Sequence, residues 1–231
     1  MNKYRVRQAG IIPENKLRFF KVGIVGCGAV GSHVANALAR MGVANFVLID
    51  SDIVSEENIS CQGFYPSDIN KFKSMAVADD IISINYGANV DNYVSYLTHA
   101  HADVLKDCDV IISAVDNMQT RKDIISMCVE YDIGGVVIDP RMGAEKIAMC
   151  VVDIDYYATG GADWYNYMLF SDENAVDEPC TAKATIYTAQ LISGLVCKAV
   201  KDVITQYEHR TRFISWDISS NKIVDYTREE D

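Results

Sequence analysis

The segment Gly26-Cys27-Gly28-Ala29-Val30-Gly31, set between an apolar run and an amphipathic one, constrains this chain more than any other feature. Lys21 to Gly26 reads as a short buried strand ending in glycines. Ala29 to Met41 follows, with Val30, Val34, Ala37, Leu38 and Met41 at helical spacing. In a strand–turn–helix of this kind Gly26 permits the tight turn and Gly28 lets phosphate approach the backbone. Gly31 lets helix and strand pack closely. The helix N-terminus adds unpaired N–H groups for phosphate oxygens. Phe46 to Asp50 is a second buried strand, and Asp50 falls about 20 residues after Gly31, where a carboxylate accepts from ribose hydroxyls. The pattern specifies a nucleotide site but does not separate NAD from ATP.

Further buried strands are expected at Asp109–Ala114 and Gly135–Asp139, with a strand within 89–96. Helices are expected from an Asp68 N-cap through Ile84, over 103–106, over 118–131, and from Thr181 to Gln206. Strand–helix alternation implies right-handed crossovers and a parallel sheet. The fold class is therefore α/β, a Rossmann-like, mostly parallel sheet with helices on both faces. Residues 212–217 and 222–226 read as a closing hairpin, an antiparallel C-terminal extension. Residues 155–180, rich in Tyr, Gly, Asp and Glu, read as an irregular crossing loop within one domain spanning 1–231.

Composition narrows the partners. With 49% hydrophobic and 23% charged residues over 231, the chain is globular rather than disordered or fibrous. Lys and Arg number 21 against 32 Asp and Glu, and a net charge of −11 argues against binding nucleic acid by phosphate neutralisation. No apolar run reaches the ~18 residues of a membrane span, and the N-terminus lacks the apolar core of a signal peptide. Seven cysteines without a CxxC suit neither a disulfide framework nor a paired-cysteine zinc site. A cytoplasmic protein is expected.

Several motifs follow in order. Asp50-Ser51-Asp52-Ile53-Val54 leads to Glu56-Glu57-Asn58-Ile59-Ser60-Cys61-Gln62, then to Asp68-Ile69-Asn70-Lys71-Phe72-Lys73. Ser113-Ala114-Val115-Asp116-Asn117 places a second carboxylate after a strand, and Tyr4-Arg5-Val6-Arg7-Gln8 opens the chain. Over roughly 4–140 and 180–226 this series resembles the ThiF/MoeB/HesA family, the adenylating core shared with ubiquitin-activating enzymes. The resemblance implies an enzyme that binds ATP and Mg2+ and adenylates the C-terminal glycine of a ubiquitin-like or sulfur-carrier protein. It also implies transfer to a cysteine as a further step, and a homodimer. By the same resemblance Lys73 holds the phosphates, Asp116 binds magnesium, Asn58 lies beside the α-phosphate and Asp50 holds the ribose. Asp52 and Gln62 belong to the same nucleotide-binding run, and Arg7 reaches across a dimer interface to the leaving phosphates.

Two positions stand out against the family pattern. Cys61 occupies the place of a family arginine, which removes a permanent charge and a fork of donors. Arg141, after the Gly135–Asp139 strand, is one candidate to replace it; weaker catalysis and a degenerate site are the alternatives. Cys180 resembles the Cys-Thr of ubiquitin-activating enzymes, and at a helix start its thiolate would be favoured as an acyl or sulfur acceptor. The other cysteines read as core. Trp164-Tyr165-Asn166-Tyr167 suits either a grip on a peptide tail or an anchor to the body. Three rival functions remain: a dehydratase adenylating a modified tRNA base, an NAD(P) oxidoreductase, and a non-catalytic scaffold with a degenerate site.

Overall fold

The apolar runs become strands buried on both faces, as a parallel sheet requires. The structure, a computed structural model, describes residues 5–169, 184–207 and 211–227. Strands β1 (Lys21–Val25), β2 (Asn45–Ile49), β3 (Asn89–Tyr93), β4 (Val110–Ser113) and β5 (Val136–Gly143) are joined by β6 (Lys146–Asp153), β7 (Thr211–Asp217) and β8 (Lys222–Thr227). They form one eight-stranded sheet in the order β3-β2-β1-β4-β5-β6-β7-β8. The first five are parallel, with Val25 level with Ile49 and Ser113; β6, β7 and β8 are antiparallel. This is the expected α/β class with its antiparallel extension.

Two cores flank the sheet. On one face Val22, Ile24, Ile112 and Ile138 pack with α2 (Ala29–Met41), α3 (Lys73–Ile84) and α8 (Ile186–Thr205), through Val34, Leu38, Ile81 and Val196. On the other, Val25, Val47, Ile111 and Val137 pack with α5 (Met118–Glu130) through Ile124 and Cys128, and with Tyr165 of α7 (Trp164–Met168). Small helices α1 (Glu14–Leu17), α4 (Ala102–Leu105) and α6 (Ile154–Ala158) complete the described set. Among the described residues no helix is long and apolar enough to cross a membrane.

Three element boundaries differ from expectation. Asp68 does not cap a long helix: Pro66–Asp68 is a 3-10 turn in which the Asp68 carboxylate accepts the Tyr65 N–H at 2.9 Å. Asn70 then adopts φ 72°, a left-handed conformation incompatible with helix, so α3 waits until Lys73. Similarly α8 starts at Ile186, with Thr185 rather than Thr181 before it; the Thr185 hydroxyl accepts the Thr188 N–H at 3.3 Å. Between 154 and 169 the expected irregular loop carries α6 and α7 instead, α6 capped by Asp153. The remainder of that segment, Cys180 included, lies outside the described residues.

Candidate functional site at the switch point of the sheet

From β1 the chain crosses through α2 to β2 on one side, then returns to β4 on the other. The C-terminal ends of β1 and β4 form the switch point of the sheet, the place where open α/β sheets bind ligands. The glycine loop after β1 and the Asp116 loop after β4 flank it.

The glycines divide by what surrounds them. Gly26 has φ +90°, and a Cβ there would stand 2.4 Å from the Ala114 carbonyl oxygen. A Cβ on Gly31 would stand 1.9 Å from the Gly26 carbonyl oxygen, so α2 packs onto the turn only without a side chain. Gly28, at the start of α2, faces open space: a Cβ there meets nothing within 4 Å. Two glycines serve the fold, and the third leaves the backbone bare at the start of α2. Cys27 between them is buried, and burial followed by the nearby Asp50 charge pushes its thiol well up.

Asp50 braces this loop against the next. Its Oδ2 accepts the Cys27 N–H at 2.6 Å and its Oδ1 the Asp52 N–H at 2.7 Å. Each oxygen retains a lone-pair site for an outside hydroxyl. Burial raises the carboxyl pKa, while the two N–H donors pull it back. Residues 52–54 are clipped to 70–73: the Val54 N–H donates to the Lys71 carbonyl at 2.9 Å and the Lys73 N–H to the Asp52 carbonyl at 2.8 Å. That clip turns the nearly buried Lys73 onto Asp52, Nζ to Oδ2 2.9 Å.

Asn58 spends its amide oxygen on the Ser55 N–H at 3.0 Å, which leaves its NH2 as the outward donor. The Gln62 amide oxygen is buried without a hydrogen-bond partner among the described residues. Cys61 is half-buried, and its carbonyl faces His33 Nε2 at 3.3 Å. Burial lowers the His33 pKa, partly offset by that carbonyl.

Asp116 is exposed in the turn between β4 and α5. It does not cap α5. Asn117 does so, its side-chain oxygen accepting the Thr120 N–H at 2.8 Å. The Asp116 Oδ1 accepts a hydrogen bond from Asn117 Nδ2 at 3.4 Å, and the side chain is otherwise exposed. Among the described residues no group of three or more His, Cys, Asp or Glu side chains is placed to hold a metal.

Arg7 sits exposed in the N-terminal turns. Arg141 is not available to replace the arginine lost at Cys61. It donates to Asp139 through Nε (2.9 Å) and Nη2 (2.6 Å), and to the Met168 carbonyl through Nη1 (2.7 Å). Burial alone would lower its pKa, but the Asp139 charge and hydrogen bonds hold it above the ordinary value. Tyr165 also donates to Asp139, at 3.0 Å, so the aromatic segment anchors α7 to the body. Sequence reasoning missed Arg121, the other partner of Asp139. Its only trace is a charged residue on the helix face that otherwise buries Ile124, Ile125 and Cys128.

The fold is that of an open, doubly wound α/β protein, with the glycine loop and the Asp116 turn side by side at its switch point. The chain belongs to the ThiF family, whose model matches residues 2–230. It is 33% identical over 118 residues to the adenylyltransferase and sulfurtransferase uba4 of Aspergillus clavatus, covering 50% of this chain and 24% of that protein. It is 31% identical over 128 residues to the tRNA threonylcarbamoyladenosine dehydratase of Haemophilus influenzae, covering 53% of this chain and 48% of the relative. Human ubiquitin-like modifier-activating enzyme 6 is 30% identical over 125 residues, 49% of this chain and 12% of that enzyme. The chain thus matches less than half the length of each. Among solved structures, E. coli MccB with succinimide gives a TM-score of 0.79 at 17% identity, covering all of this chain and 72% of MccB. MccB has also been solved with ATP, at a TM-score of 0.76 and 18% identity, covering 98% of this chain and 72% of MccB. These likenesses establish the fold.

Proposed function

We propose that this protein is a MgATP-dependent adenylyltransferase that activates the C-terminal glycine carboxylate of a small ubiquitin-like or sulfur-carrier protein. The observation that carries the reading is the Lys73–Asp52 pair, which the clip between residues 52–54 and 70–73 delivers beside the Asp50 brace. A dinucleotide oxidoreductase leaves that cation without a task. The residues fit the nucleotide: Gly28 opens onto empty space and the Gln62 oxygen lacks a partner. They also fit magnesium, which takes one or two carboxylates and completes its shell with phosphate and water.

Asp50 accepts from the ribose hydroxyls with the lone pairs its loop bonds leave over. The bare backbone at Gly28 and the first N–H groups of α2 receive phosphate oxygens. Lys73 exchanges Asp52 for phosphate, and the Asn58 NH2 donates to the α-phosphate. Asp116 would hold magnesium, which would supply charge neutralisation for the phosphates. The carrier's carboxylate oxygen bonds to the α-phosphorus as the bridging α–β bond breaks, and pyrophosphate leaves with that electron pair. Arg7 of a second copy, in a homodimer, steadies the leaving phosphates. The Cys180 thiolate then attacks the acyl carbon of the adenylate, forming a thioester as the acyl–phosphate C–O bond breaks and AMP leaves with that electron pair.

The names of two relatives, an adenylyltransferase and sulfurtransferase and a ubiquitin-like modifier-activating enzyme, support a protein carrier. The test is pyrophosphate exchange into ATP with candidate carriers ending in Gly-Gly. Exchange that requires both the carrier and its terminal glycine is expected. Exchange driven instead by a modified tRNA, or a thermal shift with NAD and none with MgATP, overturns the reading.

A further inference from the structure

Beneath Asp116 lies a charged cluster that the chemistry above does not use. Asp139 follows Ile138 of β5, one residue past its pairing with Ile112 of β4, and is fully buried. Its Oδ2 accepts from Arg141 and from Tyr165, and its Oδ1 accepts from Arg121 Nη1. Arg121, itself buried on the first turns of α5, aims its remaining donors at two backbone oxygens. Nη1 reaches the Ser113 carbonyl at 3.2 Å and Nη2 the Val115 carbonyl. Ser113 ends β4, and Val115 immediately precedes Asp116.

The turn carrying Asp116 is thus held on both sides. Arg121 fixes the carbonyl before it, and the Asn117 cap fixes the residue after it. Asp139 in turn fixes Arg121, because a buried guanidinium keeps one orientation only where its fork is matched by acceptors. We infer that Arg121 and Asp139 are positioning residues that set the direction of the Asp116 carboxylate at the switch point of the sheet. The inference rests on the reading of Asp116 as the magnesium carboxylate and adds to it the part of the chain that sets its direction. Groups that orient a metal's carboxylate typically change metal affinity by 10–100-fold when altered. Among the described residues none of the hydrogen bonds of Arg121 and Asp139 reaches the glycine loop, Asp50, Asn58 or Lys73, so the expected effect is confined to metal-dependent binding.

The experiment measures ATP affinity of the purified protein across a magnesium series and in EDTA. Arg121→Lys keeps the charge and loses the fork that reaches Asp139, Ser113 and Val115 together. It is expected to need about 10–100-fold more magnesium for half-maximal enhancement of ATP binding, with metal-free ATP affinity unchanged. Tyr165→Phe removes one hydrogen bond to Asp139 and neither guanidinium, and is expected to stay within about threefold of wild type. An Arg121→Lys protein with the wild-type magnesium requirement, or with equal losses in magnesium and in EDTA, overturns the inference. Should Arg121→Lys not fold, Arg141→Gln is read by the same two criteria; if neither folds, the cluster is structural and the inference is lost. Wild-type protein whose ATP affinity ignores magnesium refutes the functional reading itself, a different result from a silent Arg121→Lys.

Discussion

Lys73 Nζ lies 2.9 Å from Asp52 Oδ2, an ion pair between a lysine side chain 11% exposed and an aspartate side chain 57% exposed. The asymmetry matters. A half-solvated pair of this sort contributes about 0–1 kcal/mol to folding, yet the lysine is held on Asp52 with its stem packed and its head restrained. Lys73→Met retains the stem and removes the charge. Its melting temperature is expected to stay close to wild type, while carrier-dependent pyrophosphate exchange falls by about 100–1000-fold, the usual loss when one transition-state charge partner is removed. A variant that melts early and exchanges normally would make Lys73 a structural residue.

Gly28 and Gly31 separate binding from folding. Gly31→Ala drives a Cβ to within 1.9 Å of the Gly26 carbonyl oxygen, a backbone atom that cannot step aside. A loss of about 2–4 kcal/mol in urea unfolding is expected. Gly28→Ala meets no neighbour within 4 Å, so stability should change by less than about 0.5 kcal/mol. On the proposed reading its methyl group stands where phosphate approaches, and ATP affinity is expected to drop by about tenfold or more. Stability curves and nucleotide titrations on the same two proteins decide the matter.

What the sequence made legible was local. The glycine turn, the strand that leads into Asp50 and the buried strands are each patterns of a few adjacent residues, and their places in the fold stand as read. Boundaries failed where a polar residue had two uses. Asp68 has the chemistry of a helix cap and caps a 3-10 turn, and Asn70 at φ 72° breaks the helix that periodicity continued. Thr181 and Thr185 are both plausible caps by type, and only Thr185 precedes the helix. The Asp139 cluster was illegible because it is made across 18 residues to Arg121 and 26 to Tyr165. No spacing rule links those elements; the sheet order does.

Asp116 and Asn117 are neighbours with separable tasks. Asn117→Ala deletes the acceptor of the Thr120 N–H and should cost about 1 kcal/mol of stability without altering the response to magnesium. Asp116→Asn leaves that cap alone and should melt like wild type in the absence of ligand. With MgATP at about 100 times its dissociation constant the wild type gains about 2.7 kcal/mol, and Asp116→Asn should gain far less. Differential scanning with and without MgATP reads both effects.

His33 provides a pH signature. Burial depresses its pKa below the ordinary 6.5, the Cys61 carbonyl notwithstanding. Between the folded pKa and 6.5 the unfolded chain therefore binds more protons than the folded one, and stability falls as pH is lowered through that window. Above pH 6.5 the contribution is fully present. His33→Gln removes the titration and should flatten the stability profile below pH 6.5, leaving the slope at lower pH to the carboxylates. Urea midpoints taken every half unit from pH 5 to 8 give the comparison, and parallel curves for the two proteins would refute it.

Cys180 lies outside the described residues, but its proposed chemistry makes a sharp demand. Adenylation ends at the phosphoryl centre, so it needs no thiol; only the subsequent acyl transfer does. Cys180→Ser should therefore keep carrier-dependent pyrophosphate exchange near the wild-type rate. A thioester between protein and carrier is cleaved by added thiol, which attacks the carbonyl and displaces the cysteine thiolate, whereas the oxygen ester available to serine resists it. Wild-type protein incubated with carrier and MgATP should show a thiol-sensitive adduct on a non-reducing gel, and Cys180→Ser should show none or a thiol-resistant one. An unchanged, thiol-sensitive adduct in Cys180→Ser would move the acceptor to another cysteine. Cys61 is then the remaining choice among the described residues, since Cys27, Cys108, Cys128, Cys150 and Cys197 are all buried.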